Sequence, residues 1–150
     1  MSLRERVAGG SAVSLPTLGR QIGDLLAIAV FVVVGEYSHG VSPLADPVVV
    51  ADTFLPFAVG WLFVVGPALL NDPRVDESAP RVAVRTLAAW FVAVLLALSL
   101  RRTPLFHGGE TALSEYAVFG LVAFTVGGVL LTGWRMALVT LRARRRRGPA

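Results

Sequence analysis

No cysteine occurs among the 150 residues. That excludes a disulfide framework, a thiol nucleophile and cysteine-based metal or iron–sulfur sites. Lysine is missing too: all 14 basic residues are arginine. Lysine would orient a membrane span equally well, so this reflects genome composition before chemistry. Charge of either sign is scarce, at 16% of residues, against the about 25% implied by the polar surface of a soluble domain. The net charge of +4 does not point to nucleic acid, because the arginines flank apolar runs instead of sharing a face with stacking aromatics. The chain has no nucleophile–base pair, phosphate loop or HExxH, and no obvious cofactor ligand set. The sequence therefore indicates no enzyme, no metal and no cofactor.

What fills the chain is hydrophobic residues, 55% of the total, gathered in four long stretches. A bilayer core of about 30 Å needs roughly 20 helical residues. The first stretch runs from about 21 to 39, around a core of Leu25 to Gly35. The second runs from about 53 to 70, with Asp52 as its N-cap, Pro56 near its first turn and Pro67 kinking or ending it. The third covers about 81 to 100 and follows Pro80, a residue suited to a helix start. The fourth covers about 115 to 138, with Ser114 as N-cap, and can continue as a helix into the basic tail. Residues 1–20 precede the spans and 139–150 follow them. The connections are short, so neighbouring spans should run antiparallel and touch. The expected fold is all-α: an integral membrane four-helix bundle.

Arginine placement gives the orientation. Arg4, Arg6 and Arg20 precede the first span, Arg74, Arg81 and Arg85 lie between or just inside the second and third, and six follow or end the fourth. Only Arg101 and Arg102 fall on the other side. Cytoplasmic segments carry the excess arginine, so both termini are expected in the cytoplasm of a plasma-membrane protein. The apolar run after Arg20 ends in Gly35-Glu36-Tyr37-Ser38-His39-Gly40 without an A-x-A-like cleavage site, so it reads as a retained span and not as a signal peptide.

Ionisable residues inside such spans are costly and normally face protein or a water-filled cavity. Asp24 shares a helical stripe with Ile28, Phe31, Gly35 and Ser38. Arg85 and Arg135 lie at similar depth, so Asp24 is expected to pair with one or both. That cluster is either a gate for an ion or substrate, or a structural ion pair beside snorkelling arginines. On the outer side Glu36, His39 and Asp52 form a second polar cluster. Glu36 and His39 could relay protons or share a metal with Asp52 or His107, but neither spacing is a recognised ligand motif, and an interfacial polar cluster is the favoured reading. In the fourth span Gly120, Ala123 and Gly127 form one small-residue stripe, and Gly128 belongs to a second with Thr125, Thr132 and Arg135. Small residues permit close helix contact, either within one bundle or at a seam between two copies. Arg144, Arg145, Arg146 and Arg147 are placed to touch anionic headgroups, each contributing about 1 kcal/mol.

Asp24 with Phe31, Gly35 and Ser38-His39, Pro56-Phe57 with Gly60-Trp61, Arg85, and Gly133-Trp134-Arg135 together give the chain a family likeness. Over about Leu18 to Arg135 it resembles small prokaryotic membrane proteins catalogued as domain of unknown function 3054. The resemblance implies a four-helix integral membrane protein, supplies no activity, substrate or cofactor, and marks Asp24, His39, Arg85 and Arg135 as candidate positions. Glu36 and the Arg144–Arg147 run look particular to this chain. Two classes of function follow. One is a non-catalytic assembly, scaffold or lipid-interacting component; the other is a small transporter or channel working as an oligomer. They differ in whether the polar stripe of the first span meets side chains or lines water. Membrane lipids, and a second copy of the chain, are the expected partners.

Overall fold

The computed structural model describes residues 15–65, 78–106 and 113–146, with side chains over 18–64, 78–106 and 113–144. Among these residues the only regular elements are helical: α1 (Leu15–Ser38), α2 (Pro47–Val65), α3 (Ala79–Arg101), α4 (Leu113–Val122) and α5 (Gly128–Arg146). A π-helical turn, Ala123–Gly127, joins α4 to α5, so the two form one rod. Four segments are long and apolar enough to cross a membrane: Leu18–Ser38, Pro47–Val64, Ala79–Arg101 and Leu113–Arg144.

Local chemistry sets the helix ends. At the end of α1, Gly40 takes φ +84°, a conformation that costs glycine little. Its N–H donates to Tyr37 O at 3.0 Å, and the Val41 N–H donates to Glu36 O at 3.0 Å. This is the paired closure that satisfies orphan carbonyls at a helix C-terminus. The second helix starts at Pro47, earlier than the expected Thr53. Proline suits a first helical position, and the Asp46 carbonyl accepts from Val49 N at 3.2 Å. Asp52 is therefore no N-cap but sits inside α2, and Pro56 falls in mid-helix instead of the first turn. Pro67 lies outside the described residues. Helix α3 begins after Ser78, whose extended backbone (φ −64°, ψ 146°) precedes a proline in the first turn. The fourth rod stays helical through Arg146, so most of the basic tail extends the helix.

Neighbours in the chain are neighbours in space. Helix α1 packs on α2 and α5, and α3 packs on α2, α4 and α5. The start of α1 meets the end of α5 through Asp24 and Arg135, while its end meets the start of α2 through Glu36 and Thr53. Arg101, ending α3, lies 5.2 Å from the Phe119 ring near the start of the fourth rod. Successive rods thus alternate in direction around a ring.

An aromatic cluster fills the middle. Phe31 meets Phe57 edge-on at 5.6 Å between centroids, and Phe57 stacks on Trp90 at 5.8 Å. Trp61 meets Trp90 at 5.9 Å. Offset and edge contacts of this kind add about 0.5–1.5 kcal/mol each beyond area burial. Room for Trp90 comes from the π turn. A Cβ on Gly127 would stand 2.4 Å from Trp90 Cζ2, and the Trp90 indole N–H donates to Ala123 O at 3.1 Å. The π turn disturbs the regular backbone ladder, and the indole gives one of its carbonyls a partner. Helices α2 and α3 approach closely at Gly60, where a Cβ would stand 2.6 Å from Ala93 O. Large apolar side chains also cover the outside, among them Leu26, Val34, Phe63, Val84 and Leu121, all more than half exposed. Length, composition and this apolar exterior suggest a membrane protein.

Candidate functional site

Asp24 lies in the early part of α1 on the stripe it shares with Ile28 and Phe31, and all three are buried. Arg135 comes to it from α5, buried to 4% exposure. Its Nε donates to Asp24 Oδ1 at 3.1 Å and its Nη2 to Oδ2 at 2.5 Å. This two-pronged arrangement fits the planar guanidinium and is stronger than a neutral hydrogen bond. Trp61 of α2 closes the third side, its ring 5.4 Å from the guanidinium carbon. Its buried indole N–H serves the Asp24 carboxylate as a donor, though beyond ordinary hydrogen-bond geometry. Three helices thus meet at one charge pair. A buried charge needs a partner, and here each ion is the other's.

The hydrogen-bonded partner of Asp24 is Arg135, and Trp61 and Arg20 also act on the carboxylate. Arg85 is half-buried on α3 and has interactions of its own. One of the two expected arginines therefore joins the carboxylate.

The outer residues are arranged differently. Glu36 accepts a hydrogen bond from Thr53 Oγ1 at 2.6 Å across the α1–α2 contact, and Thr53 is buried. His39 is exposed in the turn after α1, where its backbone N–H donates to Glu36 O at 3.0 Å. Asp52 is half-buried beside Thr53 on α2. Among the described residues no three His, Asp or Glu side chains gather closely enough to hold a metal ion. His107 lies outside the described residues.

A family described as "Protein of unknown function (DUF3054)" matches residues 21–138. The chain belongs to this family. No curated protein and no solved structure matches it. The matched region of this DUF3054 protein contains Asp24, Trp61 and Arg135, whereas Arg20 and the Arg144–Arg147 run fall outside it.

The small residues of the fourth rod pack within the chain. A Cβ on Gly120 would stand 2.9 Å from Leu98 Cδ1, and one on Gly128 would stand 3.1 Å from Leu87 Cδ2. Gly127 rests on Trp90, and Ala123 is fully buried. Helix α3 covers Gly120, Gly127 and Gly128, while on the second stripe Thr125 is exposed and Arg135 faces α1. Arg144 is exposed at the end of α5. Charge and depth in the sequence did not bring Thr53, Trp61, Trp90 or Trp134 into a site. A tryptophan in an apolar span reads as core or interface until its indole N–H is placed. The one available signal was Trp61 in Gly60-Trp61, because a small residue beside a large one marks a close helix contact.

Proposed function

We propose that this DUF3054 protein is a four-span integral membrane protein with both termini in the cytoplasm, acting as a non-catalytic assembly, scaffold or lipid-interacting component of the plasma membrane. The observation that carries this reading is the enclosure of Asp24. Its carboxylate is held by Arg135 and covered by Trp61, while Ile28 and Phe31 on the same stripe enter the aromatic cluster. An acidic residue serving an ion pathway would need access to water or to the ion. Here side chains of the chain itself neutralise and cover it. The arginine distribution supports the orientation, and the apolar exterior supports the membrane.

The competing reading, a small transporter working as an oligomer, draws on the π turn and on Pro56 in mid-helix, because such irregularities occur at moving sites. A flux assay separates the two. Purified protein in sealed vesicles should pass protons, sodium, potassium and chloride no faster than protein-free vesicles do. Ion flux that is lost in Asp24→Asn would replace the scaffold reading with the transporter.

A further inference from the structure

Arg135 takes up both oxygens of Asp24, so no other cation is hydrogen-bonded to that carboxylate among the described residues. Arg20 stands one helical turn before Asp24 on α1, half-buried. The charges acting on its guanidinium are Arg142 and Arg135, which repel it, and Asp24, which attracts it. Arg142 is exposed on α5, two turns beyond Arg135 and on the same side of the helix. Three guanidinium groups therefore share one carboxylate.

Hydrogen bonding shows the same imbalance. Among the described residues, neither Arg20 Nε nor Trp134 Nε1, both buried, has a hydrogen-bond partner. The Trp134 ring lies against Gly23, with Cζ2 2.1 Å and Nε1 2.5 Å from where a Cβ on residue 23 would stand. Its N–H is thus held against the turn of α1 that links Arg20 to Asp24. Buried donors are normally satisfied. An anionic group with several oxygens would satisfy both donors and the surplus positive charge.

We propose that Arg20, Arg142 and the Trp134 indole N–H bind the phosphate of an anionic phospholipid at the end of the molecule where α1 begins and α5 ends. Phosphate offers several oxygens to guanidinium and N–H donors, and such charge-assisted bonds are the strong ones. The apolar surroundings select a lipid over free phosphate. Leu18 and Ile22 flank Arg20 on α1, Leu141 adjoins Arg142 on α5, and all three are exposed. They offer an acyl chain a surface that inorganic phosphate would leave unused. The site rests on the membrane and lipid-interacting reading above and gives it a location and a ligand class.

Native mass spectrometry of the full chain in detergent, titrated with phosphatidylglycerol, phosphatidylcholine or inorganic phosphate, tests this. The native chain should retain one phosphatidylglycerol in preference to phosphatidylcholine. The double variant Arg20→Gln/Arg142→Gln should bind it about 30-fold more weakly, because each arginine near an anionic headgroup contributes about fivefold. Trp134→Phe keeps the ring and removes the donor, and should weaken retention by about fivefold. Arg142→Gln alone changes an exposed residue, so it gives a reading even if Arg20→Gln disturbs folding. All variants are compared on a background with Arg144–Arg147 changed to Gln, which removes general contact by the tail. Equal phosphatidylglycerol retention by that background and by its double variant would overturn the site, as would inorganic phosphate binding as tightly as the lipid. Alkaline carbonate extraction keeps the underlying reading separate. Release of the protein from membranes would overturn both, whereas a retained protein with unaltered lipid binding overturns the site alone.

Discussion

Asp24→Asn should be among the most damaging small changes available in this chain. The side chains of the pair are 0% exposed at Asp24 and 5% at Arg135, so little water can reach either partner. Removing one member of a buried pair costs about 3–5 kcal/mol. Asparagine keeps one oxygen as an acceptor, and Trp61 still presents its ring to the guanidinium, so this variant belongs near about 3 kcal/mol. Arg135→Met leaves an anionic carboxylate among apolar side chains and belongs near about 5 kcal/mol. The combination Asp24→Leu/Arg135→Met removes both charges and should recover most of the loss, because apolar replacement of a whole buried pair is often neutral or better. Thermal unfolding in detergent, followed by tryptophan fluorescence, reports these differences, since Trp61 touches the pair. Asp24→Asn should lower the midpoint by roughly 10 °C on the scaling for a chain of this size. Glu36→Gln is the control. Its new amide still offers an oxygen to Thr53, so its cost should be about 1 kcal/mol or less. Equal midpoints for Asp24→Asn and Glu36→Gln would refute the reasoning. So would a double variant as unstable as the sum of its single changes, because the two ions would then not be coupled.

Cysteines introduced separately at Ser42 and Ser78 should react with an impermeant reagent from opposite sides of sealed membranes; labelling of both from the outside would exclude the proposed orientation. Changing Arg144–Arg147 to Gln should leave the unfolding midpoint in place and weaken association with anionic vesicles, while loss of the folded protein would mean that this segment packs against the rest. Gly60→Ala would push a methyl group to within 2.6 Å of the Ala93 carbonyl, and should destabilise by about 1–3 kcal/mol because backbone must move to relieve it; an unchanged midpoint would show that α2 and α3 can separate freely. Trp90→Phe should cost about 1–3 kcal/mol by leaving Ala123 O without its donor. A midpoint equal to that of the native chain would show that the π turn needs no such support.

The helices were legible because long apolar runs with few charges are the strongest helix signal a sequence of this kind carries. A chain with so few charges spread between long apolar runs has few other ways to satisfy its backbone. Boundaries were less legible where two signals competed. Val48-Val49-Val50 is a β-branched run that looks unlike a helix start, and Asp52 is a good cap residue. Pro47 prevailed because its fixed φ already suits a first helical turn. The Gly40 closure also escaped the reading, because glycines are common throughout the chain and only backbone geometry separates a capping glycine from a packing one.

The candidate site shows the same division between what depth can specify and what side-chain direction decides. Asp24, Arg85 and Arg135 are equivalent in depth, since depth follows from counting residues along each span. Partner choice instead depends on which helix stands next to α1. Helix α5 packs along α1 and brings Arg135 onto Asp24, whereas α1 meets α3 through the Phe31 and Trp90 rings, 6.4 Å apart. Arg135 follows Gly133-Trp134, and the indole of Trp134 fits against α1 because residue 23 has no side chain. Gly23 and Trp134 therefore bring the start of α1 and the end of α5 close enough for a guanidinium to reach a carboxylate. Gly23 carries no charge and shows no periodic signal, so its part in the pair could be read only after the fold was known.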